Sequence, residues 1–252
     1  HRHRAMMAGA DRYAFDVGDF GKCGFLRSLA DRGLSLGVVW YAVADEAHNL
    51  DGKHVAYLQE RPKNQREFRS CDPGLYDGLR QAWASGSRTI ARLEASGALP
   101  PGTMPYADRI EGKARTEREL WFGRALTLLG RCDVLFLDPD NGLAPARLVT
   151  ARSVSPKHAT LAEVGEAWKG GHSLAIYHHI GRNGTTEQQI ARWLGELRAV
   201  VESASISTVL FLRGSRRAYF VIAQPAHAER VRAQLDQFLA SEWRRHFRLA
   251  LA

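Results

Sequence analysis

Two acids and an amide close the segment DVLFLDPDNGL at residues 133–143, where Asp138, Asp140 and Asn141 follow a run of apolar residues. Carboxylates two residues apart on a tight turn can orient a hydroxyl or an amine, accept a proton, or hold a divalent ion. A solvated turn uses the same Pro, Asn and Gly, but it has no need of two acids directly behind an apolar run. A second group, YHHIGR at residues 177–182, sets His178, His179 and Arg182 behind another apolar stretch. Consecutive strand residues point to opposite faces, so one of the two histidines is expected to enter the site. Asp138 and Asp140 are expected to polarise a target group that His179 and Arg182 position. The histidines lack the helical spacing and the third ligand of a zinc site.

Two further groups have the makings of a ligand or cofactor site. Residues 44–54, ADEAHNLDGKH, crowd Asp45, His48, Asn49 and Asp51 into the stretch after the first apolar run. GDFGKCG at residues 18–24 brings Asp19 and Lys22 to the opening of a helix expected over residues 24–30, where backbone N–H groups and a lysine suit an anion. Neither has the glycine spacing of a Walker loop or of a dinucleotide-binding turn.

These groups need a scaffold, and the apolar runs supply one. Residues 36–44, 133–137 and 173–177, and the pair 208–212 with 218–223, read as short strands with almost no polar alternation, the mark of strands covered on both faces. The last two flank RGSRR and form an antiparallel hairpin. Helical periodicity fills the gaps at residues 115–129, 161–168, 185–202 and 226–239, with Thr185 and Gln188 spaced for a capping box. The expected fold is therefore α/β: three layers around a mostly parallel, Rossmann-like sheet that ends in an antiparallel hairpin. Residues 1–252 read as one domain. Residues 60–103, Arg-rich and broken by Pro and Gly, read as a helical insertion or lid with helices at 76–85 and 88–96.

Composition agrees with a folded chain. Of 252 residues 45% are hydrophobic and 25% charged, which rules out a disordered or fibrous protein. No apolar run reaches the ~18 residues of a membrane-spanning helix, so no membrane partner is expected. Lysine and arginine number 35 against 27 acids, and the net +8 favours an anionic partner such as nucleic acid. Arg213, Arg216 and Arg217 in the hairpin turn, and Arg61, Lys63, Arg66 and Arg69 near Phe68 and Trp83, are the expected phosphate contacts. Three cysteines without Cys-x-x-Cys spacing suggest neither a disulfide framework nor zinc, and fit a reducing cytoplasm. The opening HRHR ahead of Met6 and Met7 reads as an upstream extension.

The order of elements resembles the class I S-adenosylmethionine-dependent methyltransferase fold, whose sheet ends in a strand, a helix and an antiparallel hairpin. The DPDN turn stands where that fold carries its Asp/Asn-Pro-Pro-aromatic motif. The arrangement is most similar to the large-subunit ribosomal RNA adenine-N6 methyltransferases, which also open with a glycine-containing helix and carry a helical insertion after the first strand. The resemblance implies S-adenosylmethionine as cofactor and a nucleic-acid amine as methyl acceptor. It further implies that Asp138 accepts from that amine and that Asp108, after a short strand, contacts the cofactor's adenine. The chain departs from the pattern at Asp140 and Asn141, which replace the second Pro and the aromatic, and at residues 44–54, where Gly52 stands alone in place of a glycine-rich loop. GDFGKCGFLRSL, LDPDNGL and YHHIGR together also resemble a family of bacterial and phage proteins without an assigned chemistry. Two other readings stay open. One is a metal-dependent phosphodiester hydrolase or phosphotransferase, with Asp138, Asp140 and one of Asp45, Asp51 or Asp19 on Mg²⁺ or Mn²⁺ and His179 as general base. The other is a non-catalytic nucleic-acid-binding module on the same fold.

Overall fold

The computed structural model describes residues 15–43, 54–86, 90–202 and 204–250. Asp45, His48, Asn49 and Asp51 lie outside the described residues. The described chain runs α1 (Val17–Leu29), β1 (Leu36–Trp40), α2 (Pro62–Asn64), α3 (Pro73–Ala84), α4 (Ile90–Ala95), β2 (Met104–Tyr106), α5 (Arg115–Leu129) and β3 (Val134–Asp138). It continues with β4 (Gly142–Leu143), β5 (His158–Ala159), α6 (Leu161–Lys169), β6 (Ser173–His179), α7 (Thr186–Arg198), β7 (Ser205–Phe211), β8 (Arg217–Ala223), α8 (Ala228–Ala240) and β9 (Phe247–Leu249).

Seven strands form one sheet in the order β2-β1-β3-β6-β8-β7-β9. β2, β1, β3 and β6 are mutually parallel, β8 runs against both β6 and β7, and β9 pairs antiparallel with β7. The result is the expected three-layer, Rossmann-like α/β sheet with antiparallel C-terminal strands. Successive residues of each strand feed two different cores, which is why the runs carry so little polar alternation. Val38, Phe136, Tyr177 and Tyr219 pack with Phe20, Phe25 and Phe238 on the α1 and α8 side. Val39, Leu137, Ile176 and Phe220 pack with Phe122, Val164 and Trp193 on the α5, α6 and α7 side.

The boundaries differ from the sequence reading for local reasons. The first helix begins at Val17 because Asp16 caps it, its carboxylate accepting from Asp19 N at 2.9 Å. β1 stops at Trp40, where Ala42 N turns back onto the Trp40 carbonyl at 2.8 Å. β6 extends to His179 and β8 starts at Arg217, since these two residues pair across the sheet. The Arg-rich segment after β1 is part of the α1-side core: Tyr57, Phe68, Leu75, Tyr76, Leu79 and Leu93 are buried there. Its first turns include a π-helical stretch, Gln65–Arg69, ahead of the helices expected at 76–85 and 88–96.

Candidate functional site

The carboxyl ends of β1, β3 and β6 meet the start of β8, the edge at which open α/β sheets place their ligands. Trp40 lies opposite Asp138, Leu137 opposite Ile176, and Tyr177 opposite Tyr219. Trp40, Asp138, Tyr177 and Tyr219 thus form one row across four strands on the α1 face. Lys22 descends from α1 onto that row. Its Nζ donates to Asp138 Oδ2 at 2.8 Å, stands 3.5 Å from Asp19 Oδ1, and lies 5.6 and 5.3 Å from the Trp40 and Tyr177 ring centres. The network continues through Arg217, whose Nε donates to the Tyr177 hydroxyl at 2.7 Å and whose Nη2 is 3.7 Å from Asp16 Oδ2. The same hydroxyl meets His179 Nε2 at 2.8 Å. Because the phenol oxygen accepts from Arg217, we assign its proton to Nε2, which puts the imidazole proton on Nδ1.

Burial sets the electrostatics of this cluster. It works against the charge on Lys22, but Asp138 and Asp19 outweigh it and hold the ammonium well above its usual range. Burial likewise raises Asp138, against the pull of the same lysine. Asp19 is pushed up to about 7 by burial, with Asp16 and Asp138 adding to the rise and Lys22 opposing it. Tyr177 rises to about 12 for the same first reason. The site therefore holds a permanent cation, a carboxylate in contact with it, and one acid that titrates near neutrality.

The glycines of GDFGKCG serve packing. A Cβ on Gly18, Gly21 or Gly24 would come within 2.7 Å of the Arg217 guanidinium, 2.5 Å of Phe211 and 2.1 Å of Trp243 respectively. This i, i+3, i+6 stripe lets α1 lie close enough to the sheet for Lys22 to reach Asp138. Two amides of the expected anion seat at the helix N-terminus are taken, Asp19 N by Asp16 at 2.9 Å and Val17 N by the His54 carbonyl at 3.1 Å, while Asp19 Oδ2 accepts from Phe15 N just ahead of the helix at 2.9 Å. Phe15 itself is buried at φ 72°, a strained conformation for a non-glycine residue that the Tyr57 hydroxyl bonded to its carbonyl helps to hold.

The two histidines separate as expected. His179 belongs to the Tyr177 network, while His178 faces the other core, stacks edge-on to Trp193 and accepts from Leu143 N at 3.0 Å through Nδ1. Burial pushes His178 down to about 3, so its ring is neutral. Gly142, at φ 94°, lies so close that a Cβ there would meet His178 Nδ1 at 2.3 Å. One half of the DPDNGL turn is thus fixed by His178, and the other half delivers Asp138 to Lys22. Asp140 is half-buried on this turn and Asn141 is exposed. Arg182 is also exposed, and the hydrogen bond that Asp138 makes is to Lys22.

The basic residues of the last hairpin do not act as one group. Arg217 is a buried member of the network rather than a turn residue. Arg213 lies over the Phe68 ring, donates to His246 Nδ1 at 2.9 Å and faces Glu67 at 3.7 Å. Arg216 is exposed and donates to Thr186 Oγ1 at 3.1 Å.

On the opposite face of the same strand ends is a second buried ion pair that the sequence reading missed. Arg118 donates to Glu163 at 2.5 and 3.2 Å and to the His158 carbonyl at 2.7 Å, between the rings of Tyr41 and Trp121. Beside it a cleft of about 490 Å³ opens past the end of β2, lined by Asp108, Ile110, Leu120, Trp121 and Arg124 among others. Asp108 follows β2 as expected, and its exposed carboxylate faces Arg124 at 4.0 Å. No signal in the sequence marks Arg118 or Glu163, since both fall within ordinary helical patterns. Arg217 was readable as a strand start only through its pairing partner, His179.

No protein-family model matches the chain, and no curated protein is similar to it. Among the described residues, no three or more His, Cys, Asp or Glu side chains are grouped to hold a metal ion.

Proposed function

We propose that the protein is a methyltransferase-like enzyme that acts on an amine of nucleic acid at the carboxyl edge of its parallel strands, with Asp138 as the group that polarises the acceptor. The observation that carries this reading is the state of the Asp138 carboxylate. Lys22 occupies Oδ2, and Oδ1 accepts no hydrogen bond from the described residues. A carboxylate pinned by one oxygen and open at the other accepts from an incoming N–H and steers the nitrogen lone pair toward an electrophile. His179 stands one strand away and can take the proton that the amine loses at Nε2 once the Tyr177 hydroxyl turns away from it.

S-adenosylmethionine suits the edge in one respect that can be examined. The cleft past β2 sets an accessible acid, Asp108, beside Ile110, Leu120 and Trp121 within an otherwise charged lining, an acid and apolar neighbours of the kind an adenosine uses. Bound there, the cofactor would lie on the face opposite Asp138 and would supply the methyl electrophile only by reaching past the ends of β1 and β3. Everything else falls to the chain: Asp108 to orient, Asp138 to polarise and His179 to accept a proton. The donor set favours this reading over metal-assisted hydrolysis because the Lys22 ammonium already bridges Asp138 and Asp19, the position a divalent ion would need.

The test is transfer of a labelled methyl group from S-adenosylmethionine to total RNA or DNA, with calorimetry for cofactor binding. Asp138→Asn is expected to lower transfer at least ~10²-fold while cofactor affinity holds. Asp108→Ala is expected to weaken the cofactor. Absence of cofactor binding at millimolar concentration, together with a metal-dependent phosphodiesterase activity lost in Asp138→Asn, would replace this reading by the hydrolase.

A further inference from the structure

An arginine seam leads away from this edge across elements distant in sequence. It begins at Arg216, whose carbonyl accepts from Ile180 N at 3.1 Å just beyond β6, and passes to Arg213 over Phe68. From there it reaches Arg66 and Arg245, joined by a 3.4 Å bond from Arg245 Nη1 to the Arg66 carbonyl, and then Arg244, with Arg248 on the adjoining edge strand β9. Glu67, Glu242 and Glu187 are the carboxylates these arginines meet. Six guanidinium groups against three carboxylates leave the seam positive, and five of the six arginines are exposed.

We infer that this seam is a track for the phosphodiester backbone of a single-stranded nucleic acid that enters the Asp138 edge at Arg216. The direction of the track rests on the reading of Asp138 given above; the seam itself does not. Three features favour nucleic acid over an anionic membrane. The cations are arginines, whose planar fork matches a phosphate with two parallel bonds. The central ones are fixed to one another, Arg213 through Glu67 and His246 and Arg245 through the Arg66 carbonyl, so their forks are held in place. The half-exposed leucines beside them, Leu212 and Leu249, are too few to insert into a bilayer but suit contact with a sugar or base.

The experiment is fluorescence anisotropy of a labelled 20-nucleotide RNA against the full chain from 50 to 200 mM KCl. Four to six phosphate contacts predict that log K falls against log [salt] with a slope of about −3 to −4. Arg216→Glu with Arg244→Glu and Arg245→Glu is expected to weaken binding more than 10-fold and flatten the slope. Arg192→Glu on α7, which packs on the opposite face of the sheet and meets the seam at Thr186 and Glu187, is expected to change neither. Arg248→Glu alone gives a milder version should the triple variant melt early by circular dichroism. No binding at 50 mM KCl, an equal loss in Arg192→Glu, or equal affinity for phosphatidylglycerol vesicles with the same variant dependence would each overturn the proposal. Binding and methyl transfer are read separately on the same unsubstituted chain. RNA binding without methyl transfer would therefore keep the seam and remove the reading of Asp138, and methyl transfer to small amines without RNA binding would do the reverse.

Discussion

Two buried cations lie on opposite faces of the same strand ends, and both are held by a carboxylate between aromatic rings. Arg118 sits between Tyr41 and Trp121 on Glu163; Lys22 sits by Trp40 and Tyr177 on Asp138. What differs is how the carboxylates are used. Glu163 accepts from Arg118 through both oxygens, from the Tyr41 hydroxyl at 3.1 Å, and from Thr160 N at 2.9 Å as the capping box of α6. Three of these bonds fall on Oε2; Oε1 takes only the Arg118 Nε bond, and Arg118 Nη1 is buried without a partner among the described residues, so the pair is more fully bonded than Asp138 but not exhausted. Asp138 is bonded at one oxygen, and the groups around its lysine include an acid that titrates near neutrality and a fully buried Tyr219 hydroxyl without a partner among the described residues. The more fully bonded pair fixes two elements to each other, whereas an unsaturated pair at a strand end keeps bonding capacity in reserve. The comparison separates a clasp from a site where burial alone does not.

The largest expected effect falls on the clasp. Arg118→Ala leaves Glu163 buried without its cation, and breaking such a pair costs ~3–5 kcal/mol, read as a lower urea midpoint at unchanged slope. A loss below ~1 kcal/mol would show the pair to be dispensable. Lys22→Met ranks next. It strands Asp138 beside Asp19, but Asp19 can take up a proton near pH 7 and soften the charge, so a smaller loss is expected, about 1–3 kcal/mol. A double-mutant cycle of Lys22→Met with Asp138→Asn should give a weaker coupling than Arg118→Met with Glu163→Gln. A stronger coupling at Lys22 would reverse the assignment of clasp and site.

How far these roles were legible depends on whether they were local in sequence. Asp138 announced itself because a strand of apolar residues ends on it, and the His178/His179 division followed from strand alternation alone. Lys22 was visible as a residue but assigned to the wrong geometry. The glycines around it read as the opening of a helix that suits an anion, and their spacing of three is a packing stripe visible only once Phe211 and Trp243 lie against it. Arg217 was read with its neighbours as surface charge, since nothing in RGSRR tells which arginine begins the strand and turns inward. Arg118 and Glu163, 45 residues apart on two helices, meet only through the tertiary fold, and composition gives no hint of a partner.

The smallest effect, and the sharpest for the unsaturated pair, is a pH dependence. Asp19 holds its proton up to about pH 7 in the fold but only to its ordinary 3.8 in the unfolded chain. Between those values the folded state binds more protons, so this carboxyl's contribution to stability falls as pH rises from about 4 to about 7. His178 and His158, held neutral at about 3 and about 4, act oppositely and cost stability as pH falls below 6.5. The difference between the parent and Asp19→Asn therefore isolates the acid, because both chains share the histidines. Asparagine keeps an acceptor for Phe15 N and carries no charge at any pH. The variant is expected to gain on the parent steadily across that window, reaching about 1–3 kcal/mol by pH 8 in urea titrations at matched salt. A flat difference would mean that Asp19 is ionised throughout, that Lys22 is saturated by two carboxylates, and that the site is a second clasp.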